Sequence, residues 1–479
     1  MDSGSLAPPA LAKPPSPSPD VSESSGPWFL VGVLATSLLL RIQLVLSGGQ
    51  YFWPDELRYD RSRLAVDAIW KGNWASARRA LSHSDHLLFG ALGLFPAILE
   101  RLTGTDARIP ALFFALFSVA SILLVYGLMR RMGESKRASC LGALLLAVST
   151  THFYYSRHLL PYDAAMAFGL SSLYVGLQNP PFVRASVLCG LLSSATFLTY
   201  NGYWLLAGFA LLAHVLHGSG TWGLRARRAM VAAAAFAMPL IVIFGADAAA
   251  GGHIVRNWVA FSHTASQGRY AEGWSLPFAY LWHAEHSVAL LWAISLLYAV
   301  SRLSRADRTS VFVVAVAGIA VLYGGLVLMS VGLEKMVVYG RQARQLVPFA
   351  CMLTAGALER IWTAAPRRRL AVAAVLTAVV VQAAVNFYQP ITQVFPEEFR
   401  RLAKRAAAGS DGPTLLLYAE HIYPTPAPVP ATAGPVVFAR RHPLQFLPYQ
   451  YEGYTPEERT ALRRADIRMR LVLAVPTPP

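Results

Sequence analysis

The sequence has little charge and almost no cysteine. Only 14% of its 479 residues are Asp, Glu, Lys or Arg and 55% are hydrophobic, whereas a soluble globular domain carries about 25% charged residues. This composition excludes a row of soluble domains and predicts a polytopic membrane protein. The three cysteines, Cys140, Cys189 and Cys351, lie within or beside apolar runs and form no CxxC pair. They therefore indicate packing positions rather than a zinc site.

The net charge of +16 comes from 42 basic and 26 acidic residues. In a soluble chain such an excess would suggest nucleic-acid binding. Membrane proteins instead concentrate Lys and Arg in the loops that stay in the cytoplasm. We therefore expect membrane lipids, and no nucleic acid, as partners.

Long apolar runs predict about eleven transmembrane helices, at roughly 20 residues for each crossing. One run of 33 residues is divided at TYNGYW, where Asn-Gly signals a turn. The runs cover residues 28–47, 109–129, 138–155, 164–178, 185–217, 229–246, 287–301, 310–333, 345–358 and 370–389.

The distribution of basic residues sets the orientation of these spans. Five short loops that would share one side hold 14 Lys and Arg, against four in the short loops of the other side. The positive-inside rule then places the N-terminus in the cytoplasm and the C-terminus outside.

This topology divides the chain into three parts. Residues 1–27 are rich in Pro and Ser and predict a disordered cytoplasmic tail. Residues 28–389 form the all-α membrane domain, whose first external loop, residues 47–108, contains HLLFGALGLFPAILERL, interpreted as an interfacial helix. Residues 390–479 mix LLLYAE, PVVFAR and MRLVLAV with Pro-rich turns, which predicts a small extracytoplasmic α/β appendage.

Two adjacent carboxylates open the first external loop, Asp55 and Glu56 in WPDELRYD. Proline followed by acidic residues is also an ordinary helix start, favoured by the helix dipole. Adjacent helical positions diverge by about 100°, so the two carboxylates do not address one substrate atom. One is expected to act as a base and the other as a support.

Basic residues that stay outside the membrane against the positive-inside bias indicate a bound phosphate. The loop YYSRHLLPYDA carries Arg157, His158 and Asp163, and GLEKMVVYGRQAR carries three further cations, Lys335, Arg341 and Arg344. Arginine at a membrane boundary also occurs simply because it snorkels toward water.

Further polar residues are candidates for substrate or metal contact. Arg41 lies within the first span, where it either snorkels or meets a lipid phosphate. His83, Asp85 and His86 could hold a divalent metal if Asp55 or Asp163 approached, although the spacing matches no zinc pattern. A polar helix start explains them equally.

These motifs resemble the GT-C membrane glycosyltransferases, in particular the protein O-mannosyltransferase and aminoarabinose transferase branch (glycosyltransferase family 39-like). WPDELRYD is similar to the Asp-Glu motif of the first external loop, and His83 with LLFGALGLF to the His-Pro-Pro-Leu helix. ARIPALFFALFSVASILLVYGLMRRMG is similar to the second span. YYSRHLLPYDA and YGRQARQLVPF are similar to the second-loop and late Arg motifs. The family shows two prolines where this chain has Ser84 and Asp85, and the C-terminal segment lies outside the resemblance.

The resemblance implies inverting transfer of a sugar from a polyprenyl-phosphate donor to a hydroxyl of a glycan, lipid or protein, outside the membrane, and no required metal. Asp55 would be the general base, with Glu56 and Asp163 as supports. The phosphate would be held by Arg157, Lys335, Arg341 and Arg344. Other candidate substrate contacts are Arg41, Tyr59, His83, Asp85, His86 and His158.

Two other functions stay open at this point. Eleven spans could form a transporter or lipid flippase, although ionisable residues concentrate at one outer surface rather than near the midplane. A chain that has lost catalysis could still bind polyprenyl lipids. The branch that the motifs resemble and the Ala/Arg/Pro-rich composition together suggest a bacterial plasma membrane, with an endomembrane as the alternative.

Overall fold

The computed structural model describes residues 26–46, 50, 54–82, 86–178, 182–217, 221–265, 271–305, 310–336, 338, 340–388, 437–440 and 468–471. Nearly all of these residues are helical. The α-helices are α1 Gly26–Leu46, α2 Asp60–Trp70, α3 Trp74–Ser82, α4 Leu87–Thr103, α5 Arg108–Arg131, α6 Lys136–Val148, α7 Thr150–Tyr154, α8 Tyr162–Gly176, α9 Phe182–Thr199, α10 Trp204–Leu216, α11 Trp222–Ala249, α12 Ile254–Ala265, α13 Leu276–Glu285, α14 Ser287–Arg302, α15 Val311–Val327, α16 Val347–Ala364 and α17 Pro366–Tyr388.

Every predicted span contains a helix, which confirms an all-helical, polytopic membrane domain. Six helices are long and apolar enough to cross a membrane, namely residues 28–46, 108–131, 182–199, 222–249, 311–332 and 366–387, and residues 201–216 and 287–302 form shorter apolar helices. The spans assigned to α6, α8 and α16 fall outside both groups, so the number eleven stays a prediction. Most residues of these three helices are buried, since neighbouring helices enclose them.

The predicted run 138–155 is not one continuous helix. The backbone of Ser149 is extended, and it separates α6 from the short helix α7. The cause of this interruption is a buried carboxylate at the candidate site.

Hydroxyl side chains begin several helices on the side predicted to be cytoplasmic. Ser135 accepts from the N–H of Ala138 at 3.0 Å, and Thr221 and Ser310 cap α11 and α15 in the same way. Such caps satisfy N–H groups that lack a partner within the helix.

The predicted first external loop packs on the N-terminal end of α5. A hydrophobic cluster joins Tyr59, Phe89 and Phe114, and the rings of Phe89 and Phe114 stack with centroids 4.7 Å apart. Helices α2 and α4 can approach closely because Gly93 has no side chain. A Cβ at this position would collide with the Ser62 side chain. The loop is therefore seated on the membrane domain by direct packing.

Two ion pairs link helices at the end of the bundle that lies away from the first external loop. Arg137 donates to both oxygens of Glu359 at 2.7 Å, and Arg360 donates to Glu134 at 2.9 Å. These pairs join the turn between α5 and α6 to the end of α16.

Two short strands lie in the C-terminal region, where β1 Val437–Arg440 pairs antiparallel with β2 Arg468–Leu471. They overlap PVVFAR and MRLVLAV. LLLYAE and most of the predicted tail at residues 1–27 lie outside the described residues, and the α/β appendage stays a prediction.

Candidate active site

Asp55 lies in the 3₁₀ helix Pro54–Tyr59, where both of its carboxylate oxygens meet guanidinium groups. Oδ1 pairs with Arg58 on the same turn, and Oδ2 pairs with Nη1 of Arg341 at 2.5 Å. The Tyr162 hydroxyl lies 3.4 Å from Oδ2. Burial alone would raise the pKa of Asp55, but Arg341 and Arg58 outweigh it and hold the pKa well below its ordinary value. The side chain remains 25% exposed.

Glu56 faces the second external loop instead. It is fully buried, and its Oε1 accepts from the N–H of Leu159 at 2.7 Å. Its Oε2 lies 3.3 Å from Nδ1 of His158. The two carboxylates therefore diverge, and only Asp55 is open to solvent.

His158 is buried beside this carboxylate. Burial lowers the pKa of His158, and the attraction of Glu56 only partly offsets the effect. Its neighbour Arg157 is also buried, with its guanidinium 5.5 Å from the ring centroid of Tyr154. Glu56 thus ties the first external loop to the second at the position of these residues.

Arg344 and Asp163 form a buried ion pair between the 3₁₀ helix Gly340–Leu346 and α8. Nη2 of Arg344 donates to Oδ1 of Asp163 at 2.6 Å, and Nε donates to the carbonyl of Thr151 at 3.1 Å. Its Nη1 is buried without a hydrogen-bond partner. A buried N–H that lacks a partner is costly, so this atom is suited to an anionic ligand.

Arg41 projects from α1 into the same polar region. Its Nε donates to Ser118 Oγ at 2.9 Å and its Nη1 to the carbonyl of Ser37 at 3.1 Å, while Nη2 is buried without a partner. The Ser118 hydroxyl also lies 3.1 Å from Nε2 of His152. These hydrogen bonds hold the Arg41 side chain inside the protein, where it is fully buried.

Tyrosines line the space between these charges. The rings of Tyr162 and Tyr200 lie 4.8 Å apart, those of Tyr155 and Tyr162 5.7 Å apart, and the Tyr280 hydroxyl bonds to that of Tyr155 at 3.1 Å. The guanidinium of Arg344 lies 4.5 Å from the ring centroid of Tyr155. Aromatic faces stabilise such cations.

The carboxylate of Glu285 explains the break between α6 and α7, and no sequence motif predicted this role. Its carboxylate accepts from the Ser149 hydroxyl at 2.6 Å and from the N–H groups of Thr151 at 2.7 Å and Thr150 at 3.1 Å. Burial raises the pKa of Glu285 despite these bonds. The turn that it holds also presents the Thr151 carbonyl to Arg344.

Other candidate residues are placed differently. Tyr59 is buried in the loop packing, where its hydroxyl donates to Glu100 at 2.7 Å. His86 precedes α4, with its ring centroid 5.2 Å from that of Tyr200.

Lys335 is exposed, and within the described residues it forms no ion pair. The structure thus brings together Asp55, Glu56, Asp163, Arg157, His158, Arg341 and Arg344, and places Arg41 and His86 beside them.

The predicted metal ligands His83 and Asp85 lie outside the described residues. Among the residues that are described, no group of three His, Cys, Asp or Glu could hold a metal ion. The metal hypothesis therefore stays a prediction.

The fold resembles solved membrane glycosyltransferases. ArnT from Cupriavidus metallidurans in the apo state matches 95% of this chain and 100% of its own, at 15% identity and a TM-score of 0.56. The same protein bound to undecaprenyl phosphate matches over 80% and 70%, at 16% identity and a TM-score of 0.53.

A further match is the archaeal oligosaccharyltransferase AglB from Archaeoglobus fulgidus, in complex with an inhibitory peptide and a dolichol-phosphate, at 14% identity and a TM-score of 0.44. It covers 78% of this chain, which spans about 55% of the length of AglB. No protein-family model matches the chain, and no curated protein sequence matches it. The chain has the fold of ArnT, in agreement with the resemblance that its motifs predicted.

Proposed function

We propose that the protein transfers a sugar from a polyprenyl-phosphate donor to an acceptor hydroxyl on the extracytoplasmic side of the membrane. One observation carries this proposal. A partly exposed carboxylate, Asp55, lies among arginines that come from distant segments, and a buried arginine N–H nearby has no partner. An acceptor hydroxyl needs a base, and a departing phosphate needs cations.

In the proposed reaction, Asp55 takes the proton of the acceptor hydroxyl while the hydroxyl oxygen attacks the anomeric carbon. The bond between that carbon and the phosphate oxygen breaks, and its electron pair leaves with the polyprenyl phosphate. Attack from the opposite face inverts the anomeric centre.

Three arginines supply positive charge for the leaving phosphate: Arg341, Arg344 and Arg157. Asp163 orients Arg344 through their ion pair. Glu56 accepts from the second external loop and so keeps that loop beside Asp55. None of these steps needs a metal ion. The site is also compatible with Arg41 approaching the phosphate from the membrane side.

The test is sugar transfer in membranes that contain the wild type, Asp55→Asn, Arg344→Ala or the control Asp67→Asn. Asp67 lies in the same loop and forms an exposed pair with Arg101. With a panel of radiolabelled polyprenyl-phosphate sugars, Asp55→Asn should lower kcat by about 10² to 10⁴ fold, the usual contribution of a general base. Arg344→Ala should also reduce transfer, and the control should leave it unchanged.

Two outcomes would contradict the proposal. Wild-type transfer that survives Asp55→Asn at equal protein level would move the base to another residue. Failure of the wild type to consume any sugar lipid with any acceptor would favour lipid transport instead.

A further inference from the structure

Arg341 occupies a position between two anions, one present and one proposed. It pairs with Asp55, and it lies on the same 3₁₀ turn, Gly340–Leu346, as Arg344. We propose that Arg341 exchanges between Asp55 and the phosphodiester of the donor, so that donor binding releases Asp55 to act as a base. This inference rests on the proposed function and adds an order to it, with the donor binding before the acceptor reacts.

The need for an exchange follows from the contacts of Asp55. Each of its oxygens accepts from a guanidinium, and the Tyr162 hydroxyl approaches the oxygen that Arg341 holds. A carboxylate engaged in this way is a weak base, consistent with its lowered pKa. Removal of one cation would raise the pKa of Asp55 back toward its ordinary value and make the carboxylate a better proton acceptor.

Arg341 is the partner better placed to leave. Arg58 follows Asp55 by three residues on the same turn, so the two move together. Arg341 comes from a segment 286 residues away in sequence and is 24% exposed. Arg344 is 2% exposed and is held by Asp163 and the Thr151 carbonyl.

The phosphodiester of the donor can compete for this guanidinium. It carries one negative charge, as Asp55 does, and its two non-bridging oxygens suit the bidentate geometry that arginine favours. The phosphate gains a second negative charge when the sugar leaves, which strengthens its hold on the arginine. The adjacent Nη1 of Arg344 is buried without a partner and offers the same anion a second donor.

The exchange predicts that Asp55 competes with the phosphate. We would measure binding of undecaprenyl phosphate, the lipid product that carries the same phosphate, to the full-length chain in nanodiscs for the wild type, Asp55→Asn, Arg341→Gln and the double variant. Asp55→Asn should bind more tightly, by about tenfold, although it loses transfer. Arg341→Gln should bind more weakly, and Asp55→Asn should then add little in the Arg341→Gln background. Asp67→Asn serves as the matched control and should bind as the wild type does.

Several outcomes separate this inference from its alternatives. Unchanged or weaker binding by Asp55→Asn, with Asp55→Ala agreeing and both variants monodisperse, overturns the exchange. Equal tightening in the Arg341→Gln background also overturns it, because plain charge repulsion would then explain the effect.

Inorganic phosphate is tested in parallel to separate the headgroup from the lipid. If inorganic phosphate gives the same pattern of affinities, the phosphate alone competes with Asp55. If only the lipid gives this pattern, the polyprenyl chain is needed to bring the phosphate to the site. If the wild type binds neither phosphate, the proposed donor class and the exchange fail together, whereas normal binding of undecaprenyl phosphate without competition by Asp55 rejects the exchange alone.

Discussion

Two neighbouring carboxylates, Asp55 and Glu56, have different surroundings because helical geometry turns adjacent side chains apart. The sequence is sufficient to predict this divergence, but not which carboxylate faces solvent. That depends on Leu159, whose N–H satisfies Glu56 from a loop 103 residues away. Burial leaves Asp55 as the accessible carboxylate of the pair.

The buried His158 predicts how stability depends on pH. Its pKa lies below the ordinary value of 6.5, so the unfolded chain binds a proton more readily than the folded chain. Stability is therefore lost as the pH falls through 6.5. The charged groups nearest this imidazole are Glu56, Arg157 and Asp163, and the rings of Tyr154 and Tyr155 also lie against it.

We expect the Tm in detergent to fall between pH 8 and pH 5, and to fall less in His158→Asn, which lacks the titrating group. Thermal unfolding of both proteins at matched pH values checks this. An equal or larger fall in His158→Asn would contradict the assignment.

At the scale of the helical elements, every predicted apolar run contains a helix, but the pattern of apolar residues did not predict the break at Ser149. A run of apolar residues carries no sign of a carboxylate that will take its N–H groups. Glu285 reaches Thr151 across 134 residues of sequence, and the break follows from tertiary structure alone.

Glu285 predicts a coupled effect on stability and on donor binding. Glu285→Gln leaves part of the α7 N-terminus without its acceptor, which costs about 1 to 3 kcal/mol for a buried donor. Because α7 also presents the Thr151 carbonyl to Arg344, the KM for the donor should rise more than kcat falls.

Thermal unfolding and donor titration measure the two effects of Glu285→Gln. The exposed Glu334→Gln is the control. A Tm equal to that of the control would argue against the role of Glu285.

For the whole molecule, the candidate site is assembled from α1, both early external loops, α8 and the late 3₁₀ turn. Motif order predicted that these segments meet, and it named Asp55, Asp163 and Arg344 as site residues, an assignment that stays a prediction. It could not distinguish Arg341, which pairs with Asp55, from the exposed Lys335, because both lie in one basic external segment. Nor could it indicate Tyr155, Tyr200 and Tyr280, since tyrosine is common wherever a membrane protein meets the membrane interface.

The predicted orientation can be tested with introduced cysteines. The native Cys140, Cys189 and Cys351 are buried, so they should give little background. A membrane-impermeant maleimide should label Lys71→Cys in intact cells, and should label Ser304→Cys only after lysis. Both positions are exposed. The reverse pattern would place the site on the cytoplasmic side.

The separation of Asp55 from Arg341 along the chain has a consequence during synthesis. A ribosome that adds about 5 to 20 residues per second takes roughly 15 to 60 s to make the 286 residues between them. Throughout that interval Arg341 does not yet exist, whereas Arg58 follows Asp55 almost at once. Arg58 therefore supplies the first counter-charge for the nascent first loop, and the late segment completes a site whose acidic half has already left the ribosome.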